Sequence, residues 1–221
     1  MPKVGVVLSG CGVYDGAEIH ESVITLLALD RAGVEILCMA PDVDQMHVIN
    51  HLTGEVSEGE TRNVLVESAR IARGDVVDMS TVTSDDIDAI IFPGGFGAAK
   101  NLCDFAVKGT DCTVHPEVLR LTKEMVAAKK PVGVVCIAPA LMAKVMEDSD
   151  ISVDLTIGTD EETAGAIETM GASHVACPVS EFVVDRENKI VSTPAYMLGE
   201  RISEVAKGIE KLVKEILNLI E

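Results

Sequence analysis

Tryptophan is absent, and aromatic residues make up only 3% of the chain. The core of these 221 residues, 48% of them hydrophobic, must therefore be built mainly from Val, Ile, Leu, Ala and Met. That palette suits buried parallel strands covered by helices. Basic residues are also scarce: 18 Lys and Arg stand against 36 Asp and Glu, giving a formal net charge of -18. Such a surface repels phosphate backbones, which argues against nucleic-acid binding through a basic face and disfavours adhesion to anionic membranes. No apolar run is long enough to cross a bilayer, and no charged-then-apolar signal precedes the first strand. The six cysteines (Cys11, Cys38, Cys103, Cys112, Cys136 and Cys177) include no CxxC pair. They read as reduced thiols of an intracellular protein, with neither a disulfide framework nor a zinc site expected. Cytoplasm is the expected location, and an organellar one stays open. Linkers, repeats and low-complexity tracts are missing too, so residues 1–221 are expected to form one domain.

What is present is an alternation of strands and helices. A strand over Lys3–Leu8 runs into the glycine turn Ser9-Gly10-Cys11-Gly12. A helix is expected from about Gly16 to Ala32, opened by a capping box of Asp15 and Glu18 and closed by Gly33. The next strand is Val34–Ala40, and periodicity does not resolve Asp42 to Glu60. A helix over Arg62–Arg73 ends at Gly74. The strand Ala89–Phe92 leads into Pro93-Gly94-Gly95-Phe96-Gly97, and a helix near Pro116–Ala128 precedes the apolar run Pro131–Val135. Beyond it come a strand at Val153–Ile157, a helix at Thr159–Met170, and a hairpin of Glu181–Asp185 with Lys189–Thr193. The last helix, Leu198–Ile220, carries an apolar stripe of Ile202, Val205, Ile209, Leu212, Val213, Ile216 and Leu217. One doubly wound α/β domain fits this order.

In such folds ligands bind at the carboxyl ends of the strands. The turn after the first strand, the Pro93-Gly94-Gly95 turn and Cys136 all fall on that rim. Cys136 stands where the strand Val132–Val135 passes into the helix that begins Ile137-Ala138-Pro139. Proline is tolerated there, because an N–H in the first turn has no partner to lose. A cysteine at such a turn lies over free N–H groups and the positive end of a helix, which favours a thiolate and can hold an oxyanion.

Residues 88–102, which contain Ile91-Phe92-Pro93-Gly94-Gly95-Phe96-Gly97, together with Val132-Gly133-Val134-Val135-Cys136-Ile137-Ala138-Pro139-Ala140, resemble the ThiJ/PfpI superfamily, also called class I glutamine amidotransferase-like. Residues 6–21 and 57–65 are similar to its ElbB-like branch of isoprenoid-biosynthesis, glyoxalase-like proteins. The resemblance covers nearly the whole chain. It implies a flavodoxin-like three-layer sandwich with a mostly parallel sheet and helices on both faces. It further implies a homodimer and a cofactor-free activity on small carbonyl compounds. By position, Cys136 matches the elbow nucleophile, Glu21 the glutamate of the first helix, and the backbone N–H groups of Gly95 and Ile137 the oxyanion hole. The amidotransferase and protease branches place a histidine beside the cysteine or farther along. Here Ile137 follows Cys136, and only His174 lies downstream.

A carboxylate and a thiolate in contact repel each other, so Glu21 and Cys136 are expected to share a proton, with Glu21 holding it and the sulfur ionised. Gly94 and Gly95 let backbone approach a substrate closely. Cys11 is read as a partial candidate for a resolving thiol on the same rim. Glu60, Arg62 and Asn63 are either a solvated helix start or substrate-orienting groups. His20 and His115 read as surface or core residues in preference to site residues. The i, i+4 pair His47 and His51 has no third ligand, so no metal is expected. Three functions remain open at this point: an enzyme acting on 2-oxoaldehydes, a redox-sensing thiol protein, and an amidotransferase-like hydrolase.

Overall fold

The computed structural model describes residues 1–220. In chain order its elements are β1 (Lys3–Val7), α1 (Ile19–Arg31), β2 (Glu35–Ala40), β3 (Ile49–Asn50), β4 (Glu55–Val56), α2 (Val64–Ala72), β5 (Val77–Asp78), β6 (Ala89–Phe92), α3 (Phe96–Lys100) and α4 (Phe105–Lys108). There follow α5 (Pro116–Ala127), β7 (Val132–Val135), α6 (Ala138–Met146), β8 (Asp154–Leu155), α7 (Glu161–Thr169), β9 (Ser173–His174), β10 (Val183–Asp185), β11 (Ile190–Thr193) and α8 (Ile202–Ile220).

Seven strands form one sheet in the order β10-β11-β7-β6-β1-β2-β5. All pair in parallel except β10, which runs antiparallel to β11. The β6, β7 and β11 residues are buried throughout, as expected of strands covered on both faces. Alternate residues feed two cores: Phe92 and Val134 pack with α5 and α6, while Val6, Ile91 and Val135 pack with α1 and α8. The expected flavodoxin-like sandwich is borne out. Chain direction reverses its order at β1, which lies between β6 and β2, and the crevice at that switch point is where such sheets take ligands.

Several boundaries differ from expectation for identifiable reasons. Helix α1 starts at Ile19, not Gly16, and its N-cap is Glu18, whose carboxylate accepts from Glu21 N at 2.7 Å. Asp15 caps nothing; its carboxylate accepts from Ile49 N at 2.6 Å, across the site rim. In the run Val153–Ile157, where Val153, Leu155, Thr156 and Ile157 are buried, only Asp154–Leu155 is strand. It pairs with β9 in a separate two-stranded sheet. Segment 42–60, opaque to periodicity, holds the small hairpin of β3 and β4. In α8 the stripe begins one turn later than expected, because Ile202 is exposed while Val205, Ile209, Leu212, Val213 and Ile216 are buried. Burying each such side chain contributes about 1.5–3 kcal/mol, which explains why this stripe holds a 19-residue helix on the sheet.

Candidate active site

Cys136 is the first residue after β7, and its N–H continues the sheet by donating to Thr193 O at 3.0 Å. Its φ is +61°, in the left-handed region that a residue with a Cβ occupies at a cost of about 1–3 kcal/mol. The chain then turns directly into α6, with Ile137 as N-cap and Pro139 in the first turn. This strained elbow lifts the side chain off the sheet toward the crevice. The backbone N–H groups of Gly95 and Ile137 both face the sulfur.

Glu21 comes from the first turn of α1 and is fully buried behind that sulfur. Its carboxyl accepts from Gly94 N at 2.9 Å and from Tyr196 N at 3.2 Å, and it is in hydrogen-bond contact with the Cys136 thiol. Only glycine fits at 94, because a Cβ there would overlap Cys136 Cβ and come within 2.6 Å of Glu21 Oε2. Gly95, at φ +92°, is equally constrained, since a Cβ would run into the backbone N of Glu18. The Gly94 carbonyl accepts from that same Glu18 N at 2.9 Å, which ties the glycine turn to the start of α1.

Burial lifts the Glu21 carboxyl to about 8, and the neighbouring Glu18 carboxylate adds to the effect; the donors from Tyr196, Cys136 and Gly94 pull the other way. Burial also pushes the Cys136 thiol well up, as does the Glu21 carboxylate, against the two N–H groups that face the sulfur. The expectation that Glu21 is protonated at neutrality therefore holds. The expectation that the sulfur is ionised at neutrality is corrected, because burial raises the thiol instead of lowering it. Cys136 is buried, and charge on its sulfur is disfavoured there beside a carboxylate.

In front of the sulfur is a cavity of ≈ 400 Å³, lined by Glu18, Gly95, Phe96, Cys136, Ile137 and Tyr196. Asp160, the N-cap of α7, and Thr163 in its first turn line it as well. Among the described residues, no Lys, Arg or His lines it.

No family model matches the chain. It is 50% identical over 226 residues to the Rattus norvegicus "ES1 protein homolog, mitochondrial", a match spanning 98% of this chain and 84% of that protein. It is also 50% identical over 226 residues to the Homo sapiens "glutamine amidotransferase-like class 1 domain-containing protein 3, mitochondrial", spanning 98% and 83%. The chain belongs to the ES1, glutamine amidotransferase-like class 1 family. A crystal structure of an "isoprenoid biosynthesis protein with amidotransferase-like domain" from Ehrlichia chaffeensis matches it at 39% identity and a TM-score of 0.93 over the full length of both chains. Likeness in fold alone extends to Drosophila melanogaster DJ-1beta, with 17% identity and a TM-score of 0.57, covering 99% of this chain and 95% of that one. The ThiJ/PfpI, amidotransferase-like resemblance is thereby borne out.

In this ES1-family chain Cys136, Glu21, Gly94, Gly95 and Ile137 come together, while the other candidates do not join them. Cys11 does not line the cavity; its thiol stands among Glu67, Arg70, Asp15 and Arg62, and burial raises its pKa. Glu60, Arg62 and Asn63 lie off the cavity as well. Asn63 caps α2, accepting from Val66 N at 3.0 Å, and Arg62 pairs with Glu60 and Glu67 at 3.6 Å each. His115 caps α5, and His174 accepts from Ile157 N at 3.4 Å. His20 is exposed, with Nδ1 at 2.8 Å from the Tyr196 hydroxyl. His47 and His51 are not on a helix. Among the described residues, no group of three or more His, Cys, Asp or Glu is placed to hold a metal ion.

The sequence reading missed Tyr196 and Asn101. Tyr196 follows β11 on the same rim, and its neighbour Ala195 also has a positive φ of 44°. A scarce tyrosine just past a strand end was the available signal. Asn101 is a buried clamp: its amide donates to Ser9 O and Asp15 O, each at 2.9 Å, and its carbonyl accepts from Met46 N at 3.0 Å. Asn101→Ala leaves three backbone groups of the site loops unpaired and is expected to destabilise the fold by about 2–3 kcal/mol, read from the urea midpoint.

Proposed function

We propose that this chain is a cofactor-independent, glyoxalase-like enzyme that converts small 2-oxoaldehydes to 2-hydroxy acids, glyoxal to glycolate being the simplest case. The observation that supports this most directly is the buried contact between the Cys136 thiol and the Glu21 carboxyl, with two N–H groups facing the sulfur at the base of a small cavity. The reactive form is the pair that has lost one proton. Its thiolate attacks the aldehyde carbon, and the Glu21 acid protonates the resulting oxyanion, giving a hemithioacetal. The Glu21 carboxylate then removes the hydrogen from that carbon and returns it to the neighbouring one, leaving a hydroxy thioester. Water, deprotonated by the same carboxylate, cleaves the thioester; the thiolate leaves, and the pair is restored. The sum is glyoxal plus water giving glycolic acid. The glutamine-hydrolysing alternative needs a histidine at the sulfur, which the cavity lining does not supply.

The purified chain, with glyoxal and no added cofactor or thiol, is expected to form glycolate at a rate proportional to protein concentration. Glycolate no faster than in the protein-free control overturns the reading. Glu18 and Asp160 place two carboxylates on the cavity wall with no cation among its described residues, so anionic substrates are disfavoured. The kcat/KM for 4-carboxyphenylglyoxal is expected to be at least about tenfold below that for phenylglyoxal. Asp160→Asn, which keeps a capping side chain on α7, narrows the gap. As for compartment, the mitochondrial designations of the rat and human relatives support an organellar location over the cytoplasmic one first expected. Among the described residues, no helix is long and apolar enough to cross a membrane.

A further inference from the structure

Cys103 and Cys112 lie away from the Cys136 cavity, at the two ends of a segment that holds α4 and one 3-10 turn. The ends are zipped together: Cys103 forms an antiparallel bridge with Val114, His115 N donates to Leu102 O at 2.8 Å, and Asp104 N donates to Thr113 O at 3.2 Å. Residues two apart on one side of such a ladder face the same way, so Cys112, two before Val114, is the diagonal neighbour of Cys103. The two thiols are in hydrogen-bond contact. Cys103 Sγ also donates to Ala98 O, at 3.3 Å, within the short helix that starts at the cavity. The Lys144 ammonium stands beside Cys112, held by Thr110 O at 2.9 Å and by the Glu147 carboxylate. Both cysteines are buried, and the α4 residues Ala106, Val107 and Lys108 in the segment between them are exposed.

We propose that Cys103 and Cys112 form a reversible dithiol–disulfide site whose oxidant is a small soluble disulfide such as oxidised glutathione. This inference is independent of the carbonyl chemistry at Cys136. Cys112 reacts first, because the Lys144 ammonium stands beside it, whereas the contact with Cys112 and burial hold the Cys103 proton on. The Cys112 thiolate attacks one sulfur of oxidised glutathione and expels a glutathione thiolate, leaving a mixed disulfide. Cys103 then gives its proton to solvent, attacks Cys112 Sγ and expels the second glutathione thiolate. Two protein thiols are oxidised, one glutathione disulfide is reduced, and two molecules of glutathione leave. Closure removes the S–H that Cys103 donates to Ala98 O, so the redox state reaches the helix whose N-cap is Gly95. Cys11, Cys38 and Cys177 show no comparable thiol contact, and burial raises each of them.

The test uses the full chain carrying Cys136→Ser, which removes the cavity thiol as a competitor. It is incubated with oxidised glutathione at about pH 8, quenched in acid and denaturant, alkylated, and digested with trypsin without reduction. Lys108 separates the two cysteines, so a disulfide appears as a linked pair of peptides, about 2 Da lighter than the two thiol peptides together. The linked pair is expected, and reductant should abolish it. Cys112→Ser is expected to yield no link, and Cys103→Ser is expected to stop at a glutathione adduct on Cys112. Recovery of both cysteines as alkylated thiols, or of a persistent adduct on Cys112 while Cys103 is present, overturns the proposal. If either serine variant fails to fold, the map of the parent chain decides alone.

Discussion

Cys136→Ser is expected to lower glycolate formation from glyoxal by about 10³-fold or more, corresponding to at least about 4 kcal/mol of transition-state stabilisation. Serine has nearly the same volume and inherits the same φ of +61°, so packing and backbone strain at the elbow barely change. What changes is the atom. A hydroxyl ionises far less readily than a thiol, and the Glu21 carboxyl, even raised to about 8, is far too weak a base to hold a serine side chain ionised. The N–H groups of Gly95 and Ile137 remain and can still polarise a carbonyl, which leaves residual activity well above the protein-free rate. An unchanged urea midpoint with activity gone would assign the loss to chemistry. Equal rates in wild type and variant would remove Cys136 from the reaction. Peroxide treatment of the wild type separates the remaining alternative: a stable sulfinic acid on Cys136 in a chain that never turns over glyoxal would favour a sensor.

Most of the scaffold was readable because its signals are local. Apolar runs such as Val132–Val135 and Ala89–Phe92 announce buried strands, and the α8 stripe announces a helix lying on a sheet. Cys136 was legible for the same reason, since its strand, elbow and proline-bearing helix are contiguous. What escaped depends on pairing between distant segments. Nothing local in Asp15 says that its carboxylate will serve Ile49 N instead of the helix beside it. Asn101 joins segments more than 50 residues apart, and Tyr196 meets Glu21 across 175 positions. The charge state of the sulfur was misjudged on related grounds. Helix-end donors can be inferred from sequence, but the depth of burial that opposes them is set by the whole fold. Glu60, Arg62 and Asn63 resolve to the helix-start reading: Asn63 caps α2 and contacts Asp42, and Arg62 pairs with Glu60 and Glu67.

Glu21→Gln is expected to separate chemistry from stability in opposite directions. For the chemistry, the amide can neither protonate the oxyanion nor move a hydrogen between carbons, so kcat falls by about 10²-fold or more. Alkylation of Cys136 by iodoacetamide persists, because the nucleophile is still there. In the wild type, kcat/KM is expected to rise about tenfold per pH unit up to about 8 and then level, as the pair loses its first proton. For stability, the folded carboxyl titrates at about 8, against an ordinary value of 4.5. The native state therefore holds one more proton than the unfolded chain between those limits. Stability from this group is fully present below about 4.5 and declines by about 1.4 kcal/mol per pH unit as the pH rises to 8, about 4–5 kcal/mol in all. Carboxylates such as Asp78, Asp86 and Asp104, whose pKa values are lowered, contribute with the opposite sign at acid pH in both proteins, so they cancel in the comparison. The variant is thus expected to gain on the wild type steadily from pH 5 to pH 8, with unfolding free energies from urea titrations supplying the difference at each pH. Parallel profiles across that range would mean that Glu21 is already ionised in the folded protein, and the shared-proton pair would have to be abandoned.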